Sequence, residues 1–545
     1  MDEFENYLCS ELKNYQDVII YGYADIGTCI LDYIIDFETS IKIANYSGRV
    51  RYFAFSQKNR DSLRKEIKGI KLKSIYELQE YSKSALVIVA TQEKHHKDIA
   101  KILDELNFEH CMFIKHEEYC AIRKAIENHQ IIVNSNIQNY HLNHQIKLNR
   151  LREKTKRGDT VKVFFMTHDA AVFGAASVYW NMYNSKLFEP YIYVVSRRDV
   201  GYAAFMDDVD RDVDFFKRKK YRVIKGYDEY GNPKDLHRLR PDILFYDIPK
   251  LYGMAGNFYN RLDQLNWEYL TCYIPYGLLM VDSFYYHYHT KCIRETWKFF
   301  LDTASSFKRI LRDGDFNGFN TVFTGYPKLD DYYNQDEKLP DKLNNGKPLV
   351  IYAPHHSLFA SNNFATFDLY KDDMFEFVKT HTEINFVFKP HPLLAFQIEA
   401  RYNEGKIDFS KKDFEEYMMK WNSLQNGYVE TKGDYIKYFK ACSCMITDCG
   451  SFIGEYFPSG NPCIYLFNPR KKNQEDVYTE LAKDILDTYY VARDRNQLKL
   501  YLEQVILEKR DDKKENRNNL LKKEFNKLGH SGQDICEYLE REILD

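Results

Sequence analysis

The sequence predicts an α/β protein: two facing Rossmann-like domains, preceded by a small N-terminal Rossmann-like domain. Three observations lead there. Short apolar runs alternate with helical stretches along most of the chain, the pattern of parallel strands covered on both faces. The chain opens on a strand–turn–helix unit. And 545 residues are enough for about three domains of ordinary size.

Residues 1–118 form the first unit. The strand within Asp17-Val-Ile-Ile-Tyr-Gly22 runs into Gly22, Ala24 and Gly27 and then a helix, Thr28 to Asp36. This is dinucleotide-fold geometry with Ala24 at the middle glycine position. A second strand, Val50 to Phe55, ends at Ser56 instead of the usual acidic ribose ligand, and Ala85 to Ala90 supplies a third. The unit is read either as organising the protein or as holding a nucleotide or acceptor group; nicotinamide redox chemistry is a rival. Residues 119–158 are polar and helical, a connecting segment. Residues 159–340 form a second α/β unit with strands at Val161–Met166, Tyr191–Ser196, Tyr221–Lys225, Ile243–Tyr246, Thr271–Ile274 and Thr321–Thr324. Its helices are expected at Ala175–Ser185, Asp208–Lys219 and Glu295–Ser305. Residues 341–545 repeat the pattern, with strands at Leu349–Ala353, Ile384–Phe388, Ser443–Ile446 and Cys463–Phe467. The charged helical end, Asp511 to Asp545, is expected to pack back across the preceding domain.

Composition narrows the function. Hydrophobic residues are 44% and charged residues 29%, a globular balance. Lys+Arg is 77 against Asp+Glu 80, a formal net charge of −3, which gives no support to nucleic-acid binding. The basic run Arg211, Lys217, Arg218, Lys219, Lys220 and Arg222 reads as a solvated helix face. Eleven cysteines without a CxxC pair fit free thiols in a reducing compartment. The acidic start has no basic n-region, and the apolar run Val18 to Ile35 is interrupted by Asp25 and Asp32. A cytoplasmic protein is expected, with the inner face of the membrane as a place of peripheral contact.

Five constellations sit at expected strand ends, where open α/β sheets bind ligands. In Ile446-Thr447-Asp448-Cys449-Gly450-Ser451-Phe452-Ile453-Gly454-Glu455 a strand meets a helix start, whose unpaired N–H groups suit a diphosphate. Ser451 adds a hydroxyl, and Glu455 is placed to accept hydrogen bonds from ribose. In Phe388-Lys389-Pro390-His391-Pro392 the prolines fix a turn that presents Lys389 and His391 to phosphate. In Tyr352-Ala-Pro354-His355-His356-Ser357 the paired histidines suggest phosphate or acceptor contact. They lack the rest of a ligand set, so no metal site is expected. Thr167-His168-Asp169 offers His168 as general base, with Asp169 as competitor or orienting partner. Tyr273-Ile-Pro-Tyr-Gly277 and Gly325-Tyr-Pro-Lys328-Leu-Asp330 are Gly/Pro turns from which Lys328 reaches the interdomain cleft.

Taken together, these motifs resemble the CDP-glycerol glycerophosphotransferase family, which includes the teichoic acid primases and polymerases. The matching elements are Tyr-Ile-Pro-Tyr-Gly, Thr324-Gly-Tyr-Pro-Lys-Leu-Asp330, Ala353-Pro-His-His-Ser357, Lys389-Pro-His-Pro392 and Ile446-Thr-Asp448, over roughly residues 160–480. The resemblance implies a GT-B fold and a CDP-activated donor bound mainly by the C-terminal domain. It implies an acceptor that is a glycan or polyol phosphate, free or lipid-linked, and transfer with no required cofactor or metal. His391 resembles the family's histidine near the donor phosphates and His168 the histidine proposed as base. Asp448 and Ser451 fall in its Thr-Asp-Tyr-Ser-Ser segment, where Cys449 and Gly450 depart from the pattern. Glu455 stands where many members have Asp, and the Glu–Gly–Pro run also resembles retaining glycosyltransferases that read a nucleotide sugar. A catalytically silent nucleotide- or glycan-binding protein is the remaining alternative.

Overall fold

The computed structural model describes residues 14–41, 50–56, 66–67, 70–170, 172–195, 202–248, 262–282, 290–313, 318–333, 338–359, 363–431, 435–471 and 474–545, with positions 8, 11, 12 and 288. Three sheets organise them. The first contains β1 (Asp17–Tyr21), β2 (Val50–Phe55), β3 (Glu66–Ile67), β4 (Ile70–Ser74), β5 (Ala85–Val89) and β6 (Cys111–Phe113), in the order β3-β4-β2-β1-β5-β6. All its pairings are parallel except β3 with β4. Gly22 leaves β1 with φ +110°, a conformation that favours glycine. A Cβ on Gly27 would lie 1.9 Å from the Gly22 carbonyl oxygen, so the helix Asp25–Ile41 can start this close to the strand only with glycine there.

A single helix, His116–Lys156, about 60 Å long at 1.5 Å per residue, leads to the second sheet. Its start is closed by the Glu118 carboxylate, which accepts from the Lys115 N–H at 2.7 Å. Its end is locked by Lys154 to Asp242 at 2.6 Å, with Leu148 and Leu151 buried.

The second sheet comprises β7 (Val161–Thr167), β8 (Phe188–Val194), β9 (Val223–Lys225), β10 (Ile243–Tyr246), β11 (Leu270–Tyr273), β12 (Lys298–Leu301) and β13 (Thr321–Phe323). The third comprises β14 (Leu349–Ala353), β15 (Asn385–Phe388), β16 (Gly427–Val429), β17 (Cys444–Thr447), β18 (Cys463–Leu466) and β19 (Tyr490–Ala492). Their orders are β13-β12-β11-β10-β7-β8-β9 and β16-β15-β14-β17-β18-β19, parallel throughout. In each, the chain starts in the middle, winds outward one way, then returns and winds the other. This is the doubly wound order, with a switch point between β7 and β10 and another between β14 and β17. Two such lobes in succession make the GT-B architecture.

One expectation is corrected. Glu295–Ser305 is not a helix: Lys298–Leu301 is a strand, and a helix, Ala304–Asp313, follows. Phe299, Phe300 and Leu301 are all buried in the sheet, and a short apolar run of this kind fits either element until its neighbours are known.

Side chains alternate across the strands into separate cores. On β14, Leu349, Ile351 and Ala353 join an apolar cluster continuous with the second sheet, while Val350 and Tyr352 face the cluster on the other side. The C-terminal helices Lys514–Glu524 and Ser531–Leu544 cross back to the middle lobe, as expected. Arg517 is fully buried and donates to the carbonyls of Gly460 and Thr488 in the last lobe. Glu524, further along the same helix, accepts from Ser305 of the middle lobe at 2.8 Å. Asp330 then caps the final helix, accepting from the N–H groups of Ser531 and Gly532.

The N-terminal sheet is pinned to the last lobe by Asp476. Its carboxylate accepts from Lys71 (2.6 Å), Lys73 (2.8 Å) and the Tyr52 hydroxyl (2.8 Å). Burial alone would raise this carboxyl, but Lys71 and Lys73 outweigh it and hold the group down to about 2. A depressed carboxyl contributes stability above its unfolded value, about 4, and loses it as pH falls toward the folded value. Asp476→Ala should therefore weaken the docking by about 2–3 kcal/mol, since it leaves two ammonium groups without their counter-charge. Protease sensitivity of the N-terminal unit should rise in the variant at neutral pH, and in the parent chain only below about pH 4.

Among the described residues no helix is long and apolar enough to cross a membrane, and none of the ten cysteines there forms a disulfide.

Candidate functional site

The switch point of the last lobe lies between β14 and β17, and the predicted residues of three loops meet at its carboxyl edge. Asp448, buried at the end of β17, accepts from the His355 N–H (2.5 Å), the Thr366 N–H (2.6 Å) and the Thr366 hydroxyl (2.7 Å). Burial pushes its carboxyl up to about 6, opposed by the bonds from Thr366 and His355. Thr447 donates to the Ala353 carbonyl at 2.6 Å. Both residues, expected to touch the donor, are instead engaged in tying the loop after β14 to β17. The physical reason is the register: Ala353 and Thr447 are paired neighbours, so polar groups at these ends satisfy one another.

The loop after β15 joins the same edge. The His391 N–H donates to the Pro354 carbonyl at 3.0 Å, and the Lys389 N–H to the Tyr352 carbonyl at 2.8 Å. These bonds bring three imidazoles together. Ring centroids of His356 and His391 are 4.1 Å apart, those of His355 and His356 4.2 Å, and those of His355 and His391 5.3 Å. His355 Nδ1 lies 2.8 Å from the Ser357 hydroxyl, and His391 Nδ1 accepts from the Leu393 N–H at 3.1 Å. Burial, then the neighbouring imidazoles, lowers the pKa of His355 well below the ordinary histidine value, and burial lowers that of His356. Both shifts disfavour the protonated imidazole. The expectation of two isolated histidines is corrected, because β15 lies beside β14 in the sheet although His391 is far downstream in the chain.

Lys389 is buried, with its ammonium 4.9 Å from the centre of the Tyr435 ring and 5.8 Å from that of Phe452. Among the described residues it makes no ion pair within 4 Å. Burial lowers its pKa, with Glu430 opposing. Phe452 belongs to the helix Gly450–Tyr456, so Lys389 stands beside the predicted helix start. Ser451 is exposed there, its hydroxyl 3.2 Å from Cys449 Sγ.

Two other predicted residues face elsewhere. A Cβ on Gly450 would lie 3.0 Å from Val281, and one on Gly454 2.8 Å from Met280 Sδ. The two glycines thus let this helix approach the middle lobe. Glu455, expected to accept from ribose, is buried: Tyr435 hydrogen-bonds its carboxylate, and Lys328 of the middle lobe lies 3.4 Å away. Lys328 also donates to the Tyr435 hydroxyl at 2.7 Å. Lys328 does reach across between the lobes, but its target is this internal acid.

In the middle lobe the switch point lies between β7 and β10, and His168 follows β7. It is buried, with Nδ1 3.7 Å from Asp247 Oδ1, and the Thr167 hydroxyl donates to Asp247 Oδ2 at 3.3 Å. Asp247, at the end of β10, is an acid beside His168 that sequence reasoning missed. Its signal was the strand Ile243–Tyr246, whose next residue is acidic. Asp169 instead lies near Asp212, a buried carboxyl pushed up to about 6 by burial and then by the Asp169 charge. The turns Tyr273–Gly277 and Gly325–Asp330 also meet, the Tyr326 hydroxyl donating to the Tyr276 carbonyl at 2.7 Å.

The two edges are joined. Val281 pairs with Tyr478, the Thr479 N–H donates to the Met280 carbonyl at 2.9 Å, and the Asp282 N–H to the Val477 carbonyl at 2.7 Å.

No protein-family model and no curated protein matches the chain. Solved structures do. The UDP-GlcNAc 2-epimerase from Neisseria meningitidis bound to UDP-GlcNAc is 14% identical, with a TM-score of 0.43 over 70% of this chain and 100% of that one. The S. aureus MnaA–UDP complex is 12% identical, with a TM-score of 0.44 over 71% and 98%. A variant of the wall teichoic acid polymerase TagF is 11% identical, with a TM-score of 0.43 over 76% and 98%.

Proposed function

We propose that the chain is a transferase that moves glycerol phosphate, or a related polyol phosphate, from a CDP-activated donor to an acceptor hydroxyl of a cell-surface polymer. The observation that carries this reading is Lys389: a buried ammonium without an ion pair, at a doubly wound switch point, beside a serine-bearing helix start. A cation in that setting is stabilised by an anionic ligand, and a diphosphate fits it by charge.

The opposing lobe supplies the proton acceptor. With His168 Nδ1 turned to Asp247, Nε2 takes the proton of the acceptor hydroxyl as its oxygen attacks the phosphorus that bears the polyol. A new O–P bond forms, the P–O bond to CMP breaks, and CMP departs with its charge beside Lys389. Positioning and charge neutralisation carry such a transfer, and the chemistry asks little else of the protein.

The test is direct. The full chain is incubated with an acceptor mixture and CDP-glycerol, CDP-ribitol, UDP-sugars or CDP-sugars, and products are scored as released CMP or released nucleoside diphosphate. CMP from a CDP-polyol is the expected result, with a donor-dependent rise in melting temperature that at 100 times Kd corresponds to about 2.7 kcal/mol. Release of a nucleoside diphosphate from a sugar donor alone would replace this reading with a glycosyltransferase. Binding of nucleotide without any turnover would make the chain a binding protein.

A further inference from the structure

We propose that His355, His356 and His391 form a binding site for one divalent transition-metal cation of the zinc class, with a remaining coordination position open to solvent.

Geometry comes first. One potential ligand atom from each of the three residues lies within 4.8 Å of the others, and all three side chains are half-buried. A tetrahedral zinc with Zn–N near 2.0–2.1 Å separates its ligand nitrogens by about 3.3–3.4 Å. Closing the cluster by about 1.4 Å is within reach of imidazole torsions on loops, while the backbone is already held by the bonds to Pro354, Asp448 and Tyr352.

Hydrogen bonding gives a second, independent pointer. His356 Nδ1 is buried and has no hydrogen-bond partner. A buried polar nitrogen of this kind is costly, and an ion would satisfy it. At His355, Nδ1 lies 2.8 Å from the Ser357 hydroxyl and accepts from the Ser357 N–H at 3.3 Å, a bond it must give up if Nδ1–H is to turn to the hydroxyl and leave Nε2 with a lone pair for the ion. Metal-bound histidines commonly donate their other ring N–H to such a group. His391 must exchange its bond from Leu393 for the ion, a cost of about 1 kcal/mol.

The donor set selects the ligand. Three imidazoles this close cannot all carry a proton, because like charges at this range disfavour one another. A neutral imidazole offers one lone pair, which a cation takes up, beside one N–H donor. An all-nitrogen set suits zinc, cobalt, nickel or copper; magnesium and calcium require oxygen ligands. Three protein ligands with an open position is the arrangement of reactive zinc sites, not of closed structural ones.

The test uses the full chain, stripped with chelator and titrated with Zn²⁺ by calorimetry and with Co²⁺ by visible absorption, without nucleotide. One equivalent is expected, with the intense visible bands of four- or five-coordinate cobalt. His356→Gln and His391→Gln should each weaken binding by about 100-fold, at the upper end of what loss of even an outer-shell partner costs. His237→Gln, at an exposed position, should change nothing. Circular dichroism checks folding, and X-ray absorption of the cobalt form of the parent chain, showing three imidazole ligands, holds even if a variant misfolds. Absence of binding at 100-micromolar metal (about 10⁻⁴ M, the weak end for biological cation sites), or binding untouched in a folded His356→Gln protein, overturns the proposal. Because metal is read without nucleotide, the site stands or falls separately from the transferase reading.

Discussion

His168→Ala should lower turnover by about 10²–10⁴-fold while leaving donor affinity unchanged, because a positioned general base contributes in that range and touches the acceptor side alone. The imidazole is buried at the middle lobe's switch point, with Nδ1 3.7 Å from Asp247 Oδ1. In the proposed reaction alanine removes the proton acceptor and leaves Lys389, in the other lobe, in place. Asp247→Asn should reproduce part of the loss: at 3.7 Å the carboxylate acts on His168 through its charge, which favours the imidazolium that forms, and an amide lacks that charge. Single-turnover rates with saturating CDP-glycerol, alongside donor binding by thermal shift, separate the two steps. Full turnover in His168→Ala would remove the base assignment.

Lys389→Met should do the reverse, with donor affinity falling by about 10²–10³-fold, the 2.7–4 kcal/mol that one preorganised charge or donor typically supplies at an anionic group. Stability should hold or rise. The ammonium is buried without an ion pair, and replacing an uncompensated buried charge by an apolar chain of similar volume is neutral or favourable. The sign with pH follows. Burial lowers the folded-state pKa of Lys389 below that of the unfolded chain. Between those two values the unfolded chain binds the extra proton, so the parent protein gains stability as pH rises through the folded value toward about 10.4. The methionine variant should lack that gain. A variant that melts earlier yet binds donor normally would reverse the picture and make Lys389 a structural group.

Much of the architecture was legible because doubly wound sheets advertise themselves locally. Ile243–Tyr246 and Leu349–Ala353 emerge as apolar runs bounded by polar turns, and their burial on both faces explains the lack of alternation. The strands that escaped notice are short or lie toward the sheet edges: β3, β4, β6, β12, β16 and β19. Lys298–Leu301 was masked by flanking residues that favour helix. The candidate site was legible only as a set of strand ends. Which ends become neighbours depends on sheet order, and no spacing along the chain encodes that β15 lies beside β14 or β10 beside β7. Hence His391 was not grouped with His355 and His356, and Asp247 was not paired with His168. Glu455 misled for a different reason. Its helix turns Gly450 and Gly454 toward the middle lobe, and burial of that face carried the acid inward to Lys328 and Tyr435.

The helix Lys514–Glu524 is fixed at one end through Arg517 to the last lobe and at the other through Glu524 to the middle lobe. The chain also passes between the lobes once before β14. Together with the pairing of Val281 with Tyr478 and the reach of Lys328 to Glu455, these joints tie the two lobes at several separate places, so any change in their relative placement must first break at least one of those bonds.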